Sequence, residues 1–226
     1  MPHLKMHAAV AAIVISLLAS VRGQEAAWPD TFVSRLEALA LIQTLNADLL
    51  GSRSATATLE HWCRDHRLAA EPRIAASLVA GADRAPTGEQ RQHLEVTASD
   101  TVKYRHVQLR CGAKVLSEAD NWYVPSRLTP EMNRLLETTD TPFGRAVESL
   151  QPYRRTIAVA MLWSPLPDGW ERGAAAGPAQ TGAALAIPDA LFEHRAILYA
   201  RGNTPFAEVR EVYQRQVLAF PQPLPH

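Results

Sequence analysis

The chain has 226 residues and carries 23 basic and 23 acidic side chains, so its formal net charge at neutral pH is zero. A basic surplus of the kind that binds nucleic acid is absent, and nucleic acid is therefore not an expected partner. Apolar residues make up 47% of the sequence, and this composition and length favour one globular domain over a disordered or fibrous chain.

The first two dozen residues have the layout of a secretory signal peptide. A polar start precedes an apolar run over residues 8–19, and Val21 and Gly23 occupy the positions that typically precede cleavage. The run is shorter than the roughly 20 residues that span a bilayer, and an uncleaved anchor is the alternative. We predict a signal peptide over residues 1–23 and one exported domain, periplasmic or secreted, over residues 24–226, with no stable membrane insertion after cleavage.

Helical patterns occupy the first part of this domain. Apolar residues repeat at intervals of three and four after Asp30, which predicts a helix that is capped by Asp30 and ended by Gly51. A second helix is expected through residues 59–63. A strand or short helix over residues 71–80 and a loop over residues 81–88 follow it.

The remainder of the chain alternates mostly as strands do. The predicted elements are strands over 101–111 and 115–124 joined at Gly112–Ala113, a helix opened by Thr129–Pro130, a helix over 143–150 capped by Thr141, a buried strand over 156–163, a long loop over 164–188, strands over 192–200 and 206–218 joined at Gly202–Asn203, and a frayed tail over 221–225. Helices followed by mostly antiparallel strands indicate an α+β fold in which helices cover one face of a single sheet.

Strand alternation places charged side chains on apolar faces. Arg105 shares its face with Val107, and Glu211 shares its face with Val209. A buried guanidinium that is left unpaired is costly, so Arg105 needs a carboxylate from the protein or from a ligand. Burial favours the neutral form of an acid, which positions Glu211 as a proton donor. A purely structural Arg105–Glu211 pair is the alternative, and Arg195 is a third inward-facing charge that competes as a partner.

The two cysteines, Cys63 and Cys111, are expected to pair in an oxidising compartment. Two buried thiols are one alternative, and a metal site that also uses His61 and His66 is another. The spacing of these four residues matches no zinc pattern, so no metal site is predicted.

Four segments, in the same order as in the family, resemble chorismate lyases. They are an early helix start (residues 54–60), an arginine-bearing strand (104–109), a threonine-proline-hydrophobic-glycine-arginine turn (140–145) and a C-terminal strand with a glutamate (210–213). The resemblance covers nearly the whole mature chain and implies a six-stranded antiparallel sheet with helices and an internal, lidded ligand site. The wider superfamily also includes ligand-binding domains of transcription regulators, so the fold alone does not imply catalysis.

The resemblance implies a lyase that removes pyruvate from chorismate, or from a related cyclic enolpyruvyl acid, to leave 4-hydroxybenzoate without a cofactor. In that reaction Arg105 would hold a substrate carboxylate and Glu211 would be the general acid or its proton relay, with Glu208 as the alternative if the strand register differs. The amides at the start of the helix after Pro142, and the early helix start, would add the remaining substrate contacts, through Phe143, Gly144, Ala55 and Thr56.

Export conflicts with a cytoplasmic supply of chorismate. An exported, non-catalytic binding protein for an aromatic acid such as 4-hydroxybenzoate is therefore the alternative function. Both functions need a small aromatic or cyclic carboxylic acid as the partner, and the sequence identifies no partner protein.

The signal peptide gives a direct test. We expect the mature protein to begin at Gln24 or within a few residues of it, because Val21 and Gly23 precede that bond. N-terminal sequencing of protein from the envelope fraction of intact cells measures this. Soluble cytoplasmic protein that begins at Met1 would contradict the prediction.

Overall fold

A computed structural model describes residues 28–81, 83–173 and 183–220. Within these ranges, six strands form one antiparallel sheet in the order β1-β2-β3-β6-β5-β4. The strands are β1 Ile74–Leu78, β2 Lys103–Cys111, β3 Lys114–Tyr123, β4 Tyr153–Met161, β5 Ala190–Tyr199 and β6 Pro205–Gln214. The predicted α+β fold with a single antiparallel sheet of about six strands is confirmed, as are both hairpins.

Three predicted features fall partly or wholly outside the described residues. They are the signal peptide, the 174–182 part of the long loop, and the tail after residue 220.

Five α-helices of the described residues pack on this sheet. They are α1 Phe32–Gly51, α2 Ala55–Asp65, α3 Gly88–His93, α4 Pro130–Thr138 and α5 Phe143–Ala146. Helices α1, α2, α4 and α5 cover one face, which we call the helix face, and the two main apolar clusters lie beneath them. In the described part of the chain, none of the helices is both long and apolar enough to cross a membrane.

Helix α3 was not predicted, and it lies on the opposite face of the sheet. Its start is fixed by a reciprocal cap, in which the Thr87 side chain accepts from the Gln90 amide and the Gln90 side chain accepts from the Thr87 amide. Leu94, at the end of α3, packs against Trp122 on that face. The prediction that helices cover only one face is therefore corrected by this short element.

Two predicted helix caps are wrong. Helix α1 is capped by Thr31, whose hydroxyl accepts from the Ser34 amide at 3.1 Å, because the Asp30 carboxylate is held by Arg35 at 2.6 Å. Thr141 does not cap α5, since Pro142 occupies the cap position and no side chain caps the helix. Helix α5 is also shorter than predicted and continues as a single 3-10 turn over Glu148–Leu150.

The strand predicted as buried over residues 156–163 is an edge strand. It corresponds to β4, which pairs only with β5 within the described chain, and most of its residues are exposed. The sequence pattern is apolar on both faces, but an edge position leaves one side of the strand without a neighbour. The apolar composition of β4 therefore led to a wrong prediction of burial.

The predicted disulfide between Cys63 and Cys111 is present, and it joins the end of α2 to the end of β2. Both cysteines are fully buried in the larger apolar cluster, and their Cα atoms are 6.2 Å apart. Among the described residues, no group of three or more His, Cys, Asp or Glu side chains is arranged to hold a metal ion.

The disulfide closes a long loop, which makes its contribution to stability measurable. The two cysteines are 48 residues apart, and we expect the double variant Cys63→Ala/Cys111→Ala to lose about 4 kcal/mol of unfolding free energy. Urea unfolding of the variant beside the unreduced wild type measures the loss. The wild type with reductant is the control, and an unchanged midpoint in both would show that the bond is absent or without effect.

Candidate functional site

A small cavity lies between the helix face of the sheet and the first turns of α2 and α5. Its volume is about 50 Å³. Five of the six residues singled out from the sequence line it: Ala55, Thr56, Phe143, Gly144 and Glu211. Apolar side chains from four strands complete the walls: Val107, Leu109, Ala119, Leu198 and Val209.

The approach of α5 to α2 requires a glycine. A Cβ atom added to Gly144 would lie 3.0 Å from the Ser54 hydroxyl and 3.1 Å from the Thr56 hydroxyl. Among the described residues, the Phe143 and Gly144 amides make no hydrogen bond to a backbone carbonyl or to a capping side chain. Two N–H groups at the wall of the cavity are therefore available to an oxygen atom of a ligand.

Glu211 is paired with an arginine that the sequence analysis did not single out. The Arg154 Nη1 atom lies 2.7 Å from the Glu211 Oε2 atom, and both side chains are almost fully buried. The Tyr213 hydroxyl donates to the same carboxylate oxygen at 3.0 Å. A guanidinium and a phenol hydroxyl therefore both donate to the same carboxylate oxygen, and the role of Glu211 as a proton donor stays a prediction.

Arg154 lies in the cavity wall and has two hydrogen-bond donors that the described residues leave unpaired. Its Nε and Nη2 atoms are buried and have no hydrogen-bond partner within the described chain. Strand alternation could have identified Arg154, because it lies two residues before Thr156 and therefore on the same face of the strand as Thr156. The predicted strand began at Thr156 and excluded it.

Arg105 is buried on the helix face as predicted, yet no carboxylate of the described chain meets it. Its Nη2 atom donates to the Thr141 carbonyl at 3.0 Å, while Nε and Nη1 have no partner. Burial lowers the pKa of this guanidinium to about 10, so it remains charged at neutral pH. The alternative of a structural Arg105–Glu211 pair does not form, because Glu211 is held by Arg154.

The two arginines are carried by different strands, β2 and β4, and do not line the same space. Arg105 borders a recess of about 680 Å³ at the edge of β2, beyond the end of β1. Its cross-strand partner Asn121 lines the cavity that contains Arg154 and Glu211. Arg105 therefore lies next to a residue of the cavity wall, on the same face of the sheet.

The rival residues Arg195 and Glu208 lie on the opposite face. Arg195 Nη2 donates to Glu208 Oε1 at 3.0 Å, and His93 Nδ1 lies 2.7 Å from the other oxygen of that carboxylate. Arg195 is therefore not inward-facing with Arg105, contrary to prediction. The register of β6 brings Glu211, and not Glu208, to the cavity wall, since Glu211 pairs with Ala119 on the helix face.

His194 is a further polar residue beside the cavity that the sequence analysis missed. It is directly cross-strand from Glu211, its Nε2 atom lies 2.7 Å from Asn46 Oδ1, and its Nδ1 atom has no partner in the described chain. Burial, and then the charge of Arg154, lower the pKa of His194 to about 4. The ring is therefore neutral at neutral pH and adds no third positive charge to the site.

Similar solved structures are domains of transcriptional regulators. The effector domain of PhnF from Mycobacterium smegmatis is 15% identical over 72% of this chain and 88% of that chain, with a TM-score of 0.44. A GntR-family transcriptional regulator from Enterococcus faecalis V583 is 12% identical over 67% of this chain and 99% of that chain, with a TM-score of 0.38. Likeness at this level does not assign a function to the chain.

Sequence similarity to one bacterial protein is much stronger. No protein-family model matches the chain. The uncharacterized protein y4mC of Sinorhizobium fredii (strain NBRC 101917 / NGR234) is 50% identical over 198 residues, which cover 87% of this chain and 83% of that protein. Identity of this extent places the two proteins together, and the chain belongs to the same family as y4mC.

Proposed function

We propose that this domain is an exported binding protein for a small aromatic or cyclic carboxylic acid of the 4-hydroxybenzoate kind. The ligand lies against the helix face, between Arg105 at one end and the Arg154–Glu211 pair at the other. Its ring contacts the apolar wall, and its carboxylate is bound by a guanidinium. Export follows from the signal-peptide pattern and is part of the proposal.

The observation that carries this proposal is the set of unpaired guanidinium nitrogens. Arg105 and Arg154 each have two buried nitrogen atoms without a partner among the described residues. A buried donor that is left unsatisfied costs about 1–3 kcal/mol, and more when it is charged. A ligand carboxylate removes this cost and matches the planar geometry of the guanidinium fork.

The cavity has to widen before such a ligand enters. Its volume of about 50 Å³ is below the roughly 150 Å³ of an apolar cavity that accepts benzene. A recess of about 680 Å³ adjoins it, and the two share five lining residues: Arg53, Ser54, Thr56, Gly144 and Pro152. We infer that a ligand enters from this recess by separating the first turns of α2 and α5, which meet at Gly144.

Arg105→Met tests the binding site without leaving a buried acid unpaired. We expect it to weaken binding of 4-hydroxybenzoate about 10- to 150-fold, the equivalent of a charge-assisted hydrogen bond of roughly 1.5–3 kcal/mol. The melting temperature should stay the same or rise, because the variant removes an unpaired buried charge. Calorimetric titration and thermal unfolding measure the two effects.

Arg110→Met is the matched control, since Arg110 lies on the same strand but on the opposite face and binds Gln108 and the Ala113 carbonyl. It should leave binding unchanged. Unaltered binding in Arg105→Met would show that the carboxylate is bound elsewhere. A sharp fall in its melting temperature would instead indicate a structural role for Arg105.

A second candidate is the elimination that the chorismate lyase resemblance implies. The observation that favours it is the position of Glu211 in the cavity wall as a carboxylate, with the Tyr213 hydroxyl and Arg154 bound to it. In the reaction the ring carbon that carries the hydroxyl loses a proton, the bond between the neighbouring ring carbon and the ether oxygen breaks, and the enolate that leaves with this oxygen takes up a proton to become pyruvate. Glu211 would accept the ring proton, while the arginines bind the substrate carboxylates.

Glu211→Gln separates the two candidates. The change keeps the shape of the side chain but removes its ability to accept a proton, so we expect pyruvate release from chorismate to be lost. Binding of 4-hydroxybenzoate should persist, because the introduced amide side chain retains an oxygen that accepts from Arg154. Chromatography of wild type and variant after incubation with chorismate measures the products. A wild type that releases no pyruvate excludes the elimination, and a variant that keeps full turnover excludes Glu211 from it.

A further inference from the structure

The two edges of the sheet differ in how they are protected. At one edge, β1 is only five residues long, and the segment before α5 covers it, since the Ala76 amide donates to the Asp140 carbonyl. At the other edge, β4 has nine residues, and its outer side makes no backbone hydrogen bond within the described chain. Exposed edge strands of this length are templates for pairing with another strand.

The open edge is also apolar. Residues 158–162 are all exposed, and Val159, Met161 and Leu162 are each at least 40% accessible. The regular part of β4 coincides with this stretch, because its bulge against β5 lies between Thr156 and Ala158.

Helix α1 extends the apolar surface. The Gln43 side chain contacts the Met161 sulfur, so this side of α1 faces the outer end of β4. Leu36 and Leu50 lie seven residues before and after Gln43 and share its side of the helix, and both are exposed. We call the exposed residues of β4 and this side of α1 the edge surface.

We propose that the edge surface binds a second copy of this chain, with the two β4 strands antiparallel about a two-fold axis near Val159. Such pairing gives each unpaired backbone group of β4 a partner and produces a twelve-stranded sheet across the dimer. It is isologous, because the same surface is used by both copies. The α1 helices of the two copies then lie on the same face of the sheet, on either side of the seam.

The distribution of charge along β4 favours pairing about Val159, and it favours a second copy of this chain as the partner. Its only charged residues, Arg154 and Arg155, lie at its start, and residues 156–163 carry none. In an antiparallel pair centred on Val159, the two Arg155 residues are about 27 Å apart, at about 3.4 Å per residue. Apolar side chains then oppose apolar side chains, and no like charges meet. A pair centred near Arg155 would place the guanidinium groups together.

The dimer would also act on the ligand site. Arg154 is carried by β4, and its ion pair with Glu211 reaches across β5 to β6. An edge strand held from both sides positions that guanidinium more firmly than one held from one side. Dimerisation thus supports the site from outside without contributing a residue to it.

Val159→Lys tests the interface, with Leu78→Lys as the matched control on the other edge, where Leu78 is 53% exposed. Protein processed by cells from the full-length gene is analysed by sedimentation velocity over a series of concentrations. We expect a dimer for the wild type and for Leu78→Lys. Val159→Lys should raise the dimer dissociation constant about tenfold or more, because like charges oppose each other at the axis.

A cysteine pair fixes the register independently. Both native cysteines are occupied by the Cys63–Cys111 disulfide, so an added thiol has no partner within its own chain. Val159→Cys should form a covalent dimer on mild oxidation, since opposite Cβ atoms in an antiparallel pair are about 4.5–5.5 Å apart. Leu78→Cys should not. A wild type that is monomeric at all concentrations, or equal cross-linking of both variants, would overturn the proposal.

Discussion

The buried ion pair between Arg154 and Glu211 is the interaction on which the site depends. It joins the edge strand β4 to β6 across the intervening β5, and both partners are shielded from solvent. Removing one partner of such a pair typically costs about 3–5 kcal/mol, because the other is left as an unpaired buried charge. The ion pair therefore fixes the position of β4 relative to β6, and its two side chains form the polar part of the cavity wall.

The pair also explains why Arg105 is unpaired. Arg105 was expected to meet a carboxylate from the protein or from a ligand, and Glu211 was the candidate within the protein. Arg154 holds the Glu211 carboxylate at 2.7 Å, so within the described part of the chain Arg105 has one carbonyl contact and two nitrogen atoms without a partner. A charged group in this state is costly in a structural role and well suited to binding an anion.

The two faces of the sheet separate two kinds of charge. On the helix face, charged groups are few and buried, and their spare donors lie at or next to a cavity. On the opposite face, Glu208 is shared by Arg195 and His93, and Arg210 is bound by Glu193 and Asp120, so the donors and acceptors satisfy one another. Only the first arrangement leaves hydrogen-bonding capacity for a ligand. This contrast, rather than the number of charges, locates the candidate site.

The sequence alone determined the local structure and the facing of most site residues. Period-two alternation placed Arg105 and Glu211 on buried faces, the hairpin turns paired β2 with β3 and β5 with β6, and the Thr-Pro pair at residues 141 and 142 located the start of α5. These features are local, because strand parity and helix starts depend on neighbours within a few residues. The pairing of Cys63 with Cys111 could also be predicted, since the sequence has two cysteines and each has one possible partner.

Only the tertiary structure decided which charges meet and which strand lies at an edge. Arg154 and Glu211 are 57 residues apart in sequence, and their contact follows from the order β6-β5-β4, which no local pattern encodes. Apolar composition made β4 resemble a buried strand, but burial depends on neighbours in space, and β4 has one on one side only within the described chain. The register of β6 against β3 likewise placed Glu211, and not Glu208, at the cavity. Sequence sets the face of each strand, whereas long-range packing sets the partner, because the partner is brought close only when the whole sheet has formed.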